Sequence, residues 1–203
     1  MFVAEPTSEK ADLRDQMAEA RKSLSEGEVA NESSTVEAQV LTSDWFTAAK
    51  RLSIYVSTES EVVTDGIIVA ALSFGKTVYI PYVGPKSDKI QMIKLDDASD
   101  LEIMKPSFHG IRQYESADGR EDALDEGPLD LIIVPALAFS MDGAHLERSQ
   151  RYYDHFLNEH REKFGTLPYM VGLSLSTQLV GQVPKGPDDY TLDDVIAATY
   201  QKD

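Results

Sequence analysis

The sequence has no cysteine and is short of basic residues: 19 Lys and Arg stand against 35 Asp and Glu, which gives a formal net charge of −16. Without cysteine the chain has no disulfide, no thiolate nucleophile and no cysteine-ligated zinc. The affinity of proteins for nucleic acids comes mostly from neutralised phosphates, so we expect no nucleic-acid partner. The missing thiols fit a reducing compartment, and a cytoplasmic protein is expected.

Long apolar stretches are also missing, since no run approaches the roughly 18 residues that cross a bilayer. The opening residues, MFVAEPTSEK, lack the basic region that begins a secretory signal. We therefore expect neither a membrane anchor nor a membrane partner. The length of 203 residues suits one well-buried domain. The expected partition is a loose arm over 1–8 and a single domain over 9–203.

Short runs rich in Ile and Val alternate along the chain with segments of helical periodicity. The runs predict buried strands, and these lie at 52–56, 77–80 (closed by Pro81), 90–95, 131–134, 170–175 and 195–198. Helices are predicted over 9–24, after residue 25, around 45, after 64 and over 152–160. Strands that alternate with helices predict a three-layer α/β/α domain with a mostly parallel sheet, on which the N-terminal helices pack.

Local signals predict where the helices begin and end. Ser25 and Glu28 have the spacing of a capping box for the second helix. Asp44 and Thr64 are predicted to cap the two helices that follow, and Gly75 to end the latter of these.

Isolated aromatic and histidine side chains are assigned structural roles. Trp45, the only tryptophan, is predicted to be a core anchor. The histidines show no metal-ligand spacing, so we expect surface residues and no zinc site at His109, His145, His155 and His160.

The most informative stretch runs from Leu129 to Leu157. An apolar run is stopped by Pro135, a loop follows, and Tyr152-Tyr153-Asp154 leads into a helix. In α/β proteins, phosphate and nucleotide groups bind where a strand is followed by a loop and then by the start of a helix. The sequence therefore places a candidate site here.

This stretch resembles the signature of the 5-formyltetrahydrofolate cyclo-ligase family, also called methenyltetrahydrofolate synthetases, whose loop reads roughly RLGxGxGYYDRFL. Further segments are similar to family motifs: Lys10-x-x-x-Arg14 to KxxLR, 50–57 to KRISxYLS, 75–81 to GKxVxxP, and 183–193 to a late VP…D…D pattern. The resemblance implies the cyclo-ligase fold, similar to that of NagB, RpiA and CoA transferases. It also implies the ATP- and magnesium-dependent conversion of 5-formyltetrahydrofolate to 5,10-methenyltetrahydrofolate.

The same resemblance implies the site residues. The residues implied for ATP are Lys10, Arg14, His145, Leu146, Glu147, Arg148, Ser149, Gln150, Arg151, Tyr152 and Tyr153. Those implied for the folate are Val56, Glu61, His109 and Tyr152, with Glu61 and Arg148 in catalysis. Asp154 and Asp189 are implied for magnesium, and Asp188 is the alternative to Asp189. Two carboxylates with phosphate oxygens and water suit that ion.

The loop departs from the family pattern at four positions. His145 replaces an arginine, and Glu147, Ser149 and Arg151 replace glycines, whose backbone N–H groups can approach an anion closely. Arg148 is retained. Two functions therefore stay open: an active ligase with folate and ATP as its small-molecule partners, and a catalytically degenerate paralogue that binds a folate, a nucleotide or a protein partner.

Overall fold

A mostly parallel sheet occupies the middle of the molecule. The computed structural model describes residues 8–85, 87, 89–106, 110–148 and 152–198. Its strands, in chain order, are β1 (Arg51–Ile54), β2 (Thr77–Val83), β3 (Ile90–Lys94), β4 (Lys105–Pro106), β5 (Arg112–Gln113), β6 (Leu131–Val134), β7 (Ala138–Phe139), β8 (His145–Leu146), β9 (Tyr169–Ser174) and β10 (Asp194–Ala197).

The main sheet has six strands in the order β10-β9-β6-β1-β2-β3. Neighbouring strands are parallel except β2 and β3, which are antiparallel. From β1 the chain moves to β2 on one side, and β6 then pairs with the other side of β1. The strand order therefore reverses between β1 and β6. The short strands form two antiparallel pairs, β4–β5 and β7–β8.

Helices cover both faces of this sheet. They are α1 (Ser8–Ala20), α2 (Glu26–Thr42), α3 (Asp44–Ala48), α4 (Asp65–Ser73), α5 (Asp100–Ile103), α6 (Ala123–Glu126) and α7 (Tyr152–Phe164). Leu131 and Ile133 of β6 pack in the core with α2, α3 and α4, whereas Ile132 and Val134 pack with α6 and α7. Both faces are buried, which explains the uninterrupted apolar run. The predicted three-layer fold with a mostly parallel sheet is confirmed.

The first helix packs on a small separate core. Met17 of α1 lies there with Leu137, Leu146 and Val183, and it is only 3% exposed. This packing seats α1 against the β7–β8 hairpin and the segment around Val183. The division into a loose arm and a single domain stays a prediction, because residues 1–7 lie outside the described ranges.

The second strand is longer than predicted. β2 continues through Pro81 to Val83, and Pro81 pairs with Met92 of β3. The ladder between β1 and β2 joins only Arg51–Ser53 to Thr77–Tyr79, so Pro81 lies beyond it, where its missing N–H removes no bond to β1. The prediction that Pro81 closes the strand is therefore wrong.

The helix boundaries agree in part with the sequence signals. The capping box of Ser25 and Glu28 is confirmed, as is Gly75 just past α4 with a φ of 74°. Ser43, rather than Asp44, caps α3. Thr64 occupies the N-cap position of α4, but its hydroxyl donates to the Tyr55 carbonyl at 2.7 Å and accepts from the Ser57 N–H at 3.2 Å. It thus ties the end of β1 to α4.

Two other predictions need correction. Trp45 is only partly buried and stacks on Tyr169 with ring centroids 6.3 Å apart, whereas the adjacent Phe46 is 1% exposed and is the core anchor. Consecutive residues point about 100° apart on a helix, so only one of the two rings faces the sheet. His160 is fully buried and the His145 side chain is only 7% exposed, so neither is the surface residue that was predicted. No helix in the described part of the chain is long and apolar enough to cross a membrane.

Candidate functional site

A cavity of about 630 Å³ opens at the carboxyl ends of β1 and β6. Tyr55 and Val56, which follow β1, line it together with Pro135 and Ala136, which follow β6. In open parallel sheets a crevice forms where the strand order reverses, because the connections then leave in opposite directions. The fold itself therefore creates this cavity.

The other walls are mostly apolar. Pro81, Val83 and Ile90 come from β2 and β3, and Tyr152 and Tyr153 come from the start of α7. Apolar walls with a few polar groups are typical of sites for small organic ligands.

The β4–β5 hairpin contributes a firmly held part of the wall. The Gln113 amide, which lines the cavity, accepts from the Val83 N–H at 3.1 Å and donates to the Val83 carbonyl at 3.0 Å. The neighbouring Arg112 binds both carboxylate oxygens of Asp65, at 3.1 and 2.6 Å. A bidentate pair fixes geometry as well as charge, so the hairpin is held against α4.

A buried carboxylate and a guanidinium meet at the cavity wall. Glu61 is 7% exposed, and its Oε2 accepts from the Thr58 N–H at 2.9 Å. Arg148 Nη2 lies 3.5 Å from Glu61 Oε1 and donates to the Thr58 hydroxyl at 3.1 Å. Burying a carboxylate is costly unless it is paired and hydrogen-bonded, and both conditions are met here. Glu61 is thereby fixed as a hydrogen-bond acceptor.

Two tyrosines next to this carboxylate keep their phenol protons. Burial raises the pKa of Tyr55 and of Tyr153 well above the usual value, and the negative charge of Glu61 raises both further. The Tyr55 hydroxyl donates to the Val62 carbonyl at 3.4 Å. The cavity wall thus carries neutral tyrosines beside the Glu61 carboxylate.

The cations of α1 reach distant parts of the chain. Lys10 forms an ion pair with Asp189, and Arg14 Nε donates to the Glu147 carbonyl at 3.4 Å. The first helix therefore lies between the loop at 145–148 and the late segment around 189.

The described part of the loop has one carboxylate on the cavity wall. Glu147 lines the cavity, and its Oε1 lies 3.8 Å from His145 Nε2, with both side chains largely buried. Leu146 is 1% exposed and packs beneath α1 beside Met17. Leu146 therefore supports the loop from below, while Glu147 adds negative charge to the site.

The aspartates implied for magnesium differ in their surroundings. Asp154 is buried in the first turn of α7. Asp189 is half-buried and accepts from the Gly186 N–H at 2.7 Å and from Lys10, whereas Asp188 is exposed. Among the described residues, no three His, Cys, Asp or Glu side chains form a ready metal site. Two carboxylates still fit an ion that takes its other ligands from phosphates and water.

The structure thus brings several implied residues to one cavity. Those that line it are Val56, Glu61, Glu147, Arg148, Tyr152 and Tyr153. His109, Ser149, Gln150 and Arg151 lie outside the described residues.

Sequence reasoning missed Arg21, which lines the same cavity. Its Nη2 donates to the Ser60 hydroxyl at 2.7 Å, just past the end of α1. Spacings of four from Lys10 to Arg14 and seven from Arg14 to Arg21 place all three cations on one side of a helix. This periodicity could have identified Arg21. Thr58 and Ser60 were also missed, and no pattern in the sequence distinguishes them.

The fold and this cavity define a class: α/β proteins with a small-molecule site at the point where the strand order reverses. A sequence model of the 5-formyltetrahydrofolate cyclo-ligase family matches residues 6–198. The chain belongs to this family of enzymes.

Individual relatives agree with this assignment. The chain is 36% identical over 188 residues to the probable 5-formyltetrahydrofolate cyclo-ligase of Caenorhabditis elegans, covering 92% of this chain and 91% of the relative. It is 31% identical to the mouse 5-formyltetrahydrofolate cyclo-ligase, with 97% of each covered. The solved 5,10-methenyltetrahydrofolate synthetase of Aquifex aeolicus is similar in fold, with a TM-score of 0.74, 22% identity, and coverage of 94% and 90%.

Proposed function

We propose that this chain converts 5-formyltetrahydrofolate to 5,10-methenyltetrahydrofolate with ATP and magnesium. One observation carries the proposal: Val56, Glu61, Arg148, Tyr152 and Tyr153, which the sequence relates to folate and ATP binding, line a single cavity. The names of the curated relatives support the same activity.

The proposed reaction has two steps. The formyl oxygen attacks the terminal phosphorus of ATP, the bond from that phosphorus to the bridging oxygen breaks, and ADP leaves. N10 of the folate then attacks the activated formyl carbon, its proton is released, and the former formyl oxygen departs with phosphate. The protein's share is to hold two anionic substrates in line and to neutralise the moving charge.

For the folate, we assign binding to the apolar walls and orientation to Glu61. A fixed, buried carboxylate can accept hydrogen bonds from the N–H groups of a pterin edge. Val56 and Tyr152 supply apolar surface beside it. Because these walls exclude water, the activated formyl group is shielded from hydrolysis.

For ATP, we assign the phosphates to Lys10, Arg14 and Arg148. A chain with a net charge of −16 repels polyanions unless cations gather locally. Arg148 belongs to the 145–148 loop and Arg14 contacts this loop at Glu147, while Lys10, one turn earlier on α1, is paired with Asp189. Asp154 and Asp189 would hold magnesium, which when bound neutralises phosphate charge and polarises the transferring group. Folate and ATP are the proposed partners, and the cytoplasmic location stays a prediction.

The test is the ATP-dependent rise of methenyl near-UV absorbance with purified protein. Glu61→Gln should lower kcat/KM about 10- to 100-fold, because a hydrogen bond to a charged acceptor is lost. Glu162→Gln, an exposed position on α7, is the matched control and should retain full activity. If the unmodified chain binds a folate or a nucleotide but shows no turnover, the degenerate alternative is the better account.

A further inference from the structure

Arg21 is held at the cavity wall although the helix that carries it has ended. α1 ends at Ala20, and the Arg21 N–H still bonds the Met17 carbonyl at 3.0 Å. Its side chain is half-buried and its Nη2 donates to the Ser60 hydroxyl at 2.7 Å. The guanidinium is therefore fixed beside the segment that carries Glu61.

Two guanidinium groups act electrostatically on one buried carboxylate in this region. Burial lowers the pKa of Arg21, the positive charge of Arg148 lowers it further, and Glu61 raises it. Arginine nonetheless stays charged at any working pH. Arg21, Lys22 and Arg148 line the cavity against two carboxylates, Glu61 and Glu147, so its wall has more positive than negative charge within a chain that is otherwise acidic.

One donor of Arg21 is left unpaired by the described residues. Its Nε is buried and meets no hydrogen-bond partner in the part of the chain that the structure describes. A buried N–H left without a partner costs free energy. Arg21 also lines the cavity, and the guanidinium donors that face it suit carboxylate and phosphoryl oxygens particularly well.

The position of Arg21 along α1 separates it from the other cations. At about 1.5 Å per residue, Arg21 lies roughly 10 Å beyond Arg14 and roughly 16 Å beyond Lys10. Lys10 and Arg14 contact Asp189 and Glu147, at one end of this row. Arg21 therefore lies at the other end of this row of cations, next to the segment that carries Glu61.

We propose that Arg21 acts with Arg148 as a second anion-binding element, and that it contacts an anionic oxygen group of a bound substrate inside the cavity. This inference rests on the proposed function. The group is either the terminal phosphoryl group of ATP or a carboxylate of the folate, since both offer the same oxygen chemistry. Arg21 would then determine how tightly that substrate is held, in addition to the residues already assigned.

The experiment measures equilibrium binding by calorimetry with three probes: tripolyphosphate, ATP and 5-formyltetrahydrofolate. Arg21→Met removes the charge but keeps an apolar side chain, and Arg21→Lys keeps the charge without the fork of donors. Ser60→Ala removes the bond from Arg21 to the loop but retains the guanidinium group itself. Arg161→Met is the matched control, because Arg161 is exposed on α7.

We expect Arg21→Met to weaken one class of ligand about tenfold or more, as loss of a charge-assisted bond does. Weaker ATP and tripolyphosphate binding identifies the phosphoryl group, and weaker 5-formyltetrahydrofolate binding alone identifies the carboxylate. Arg21→Lys and Ser60→Ala should each lose less than Arg21→Met, while Arg161→Met should stay within about twofold of the wild type. If Arg21→Met fails to fold, the loss in Arg21→Lys relative to Arg161→Met decides.

Two results overturn the inference. One is unchanged binding of all three probes in the Arg21 variants. The other is a loss in Ser60→Ala as large as that in Arg21→Met, which would mean that Arg21 acts only by holding the loop. Turnover by the wild type is scored separately: a wild type without turnover defeats the proposed function, and the tripolyphosphate titration then still decides for or against Arg21.

Discussion

Lys10 forms an ion pair with Asp189 across 179 positions of sequence. The same carboxylate oxygen accepts the Gly186 N–H at 2.7 Å, so the first helix and the late segment hold each other in place. Lys10 is proposed to contact the triphosphate and Asp189 the magnesium ion. The pair therefore orders two parts of one proposed site before a ligand binds.

We expect Lys10→Met and Asp189→Asn to be coupled in their effects on stability. The two side chains are 17% and 21% exposed, and ion pairs of this kind couple by about 1 kcal/mol or less. Urea unfolding of the single and double variants measures this coupling. Strictly additive losses would show that the contact contributes nothing to stability.

The carboxylate of Glu147 should weaken nucleotide binding. It lines the cavity in a loop whose family pattern has glycine at that position. Glu147→Gln removes the charge at nearly constant size and should raise ATP affinity about fivefold, since a like charge at close range costs on the order of 1 kcal/mol. Calorimetry measures the change, with Glu162→Gln as the control. A fall in affinity would mean that the carboxylate itself holds the ligand.

His160 should make the protein less stable in mild acid. Its Nε2 accepts from the Leu129 N–H at 2.9 Å and its Nδ1 lies 2.8 Å from the Thr166 carbonyl, which fixes the neutral ring with the proton on Nδ1. Burial lowers the pKa of His160 from its usual 6.5. Below that pH the unfolded chain binds a proton that the folded ring resists, so stability is lost as the pH falls.

Urea unfolding between pH 7.5 and about 5 tests this effect. The wild type should lose more stability over this range than His160→Gln, and His155→Gln, at an exposed position, should behave as the wild type does. Equal pH dependence in the wild type and in His160→Gln would contradict the assignment.

Gly172 in β9 should tolerate no side chain. An added Cβ would lie 2.4 Å from the Phe139 ring and 2.8 Å from Leu192, both in the core. Gly172→Ala should lower the free energy of unfolding by about 1–3 kcal/mol, as overpacking does. Gly181→Ala, with nothing within 4 Å, should change it little. Thermal unfolding compares the two, and equal effects would refute the close approach.

The sequence predicted the layers of the fold well, because strand runs and helix periodicity are local signals. The run at 131–134 matches β6 to the residue. Prediction from the sequence failed where tertiary contacts determine the local structure. Pro81 continues β2 because the β1 ladder has already ended, and the Thr64 hydroxyl bonds backbone groups of the preceding loop instead of capping α4.

The candidate site shows the same division between residues that a local motif identifies and residues that only the folded chain brings together. Residues within family motifs, such as Glu61 and Arg148, were found and they line the cavity. Arg21 belongs to no motif, and it reaches Ser60 at the cavity wall only through the packing of α1. His160 was misassigned because burial of a histidine depends on partners such as Leu129, 31 positions away.

The central claim is most directly tested by the products of the purified wild-type chain. Incubated with 5-formyltetrahydrofolate, ATP and magnesium, it should form 5,10-methenyltetrahydrofolate, seen as near-UV absorbance, and ADP in equal amounts. Omission of ATP or of magnesium should stop both. Absence of methenyl product from a folded protein that binds ATP, or methenyl formation without ADP, would contradict the account.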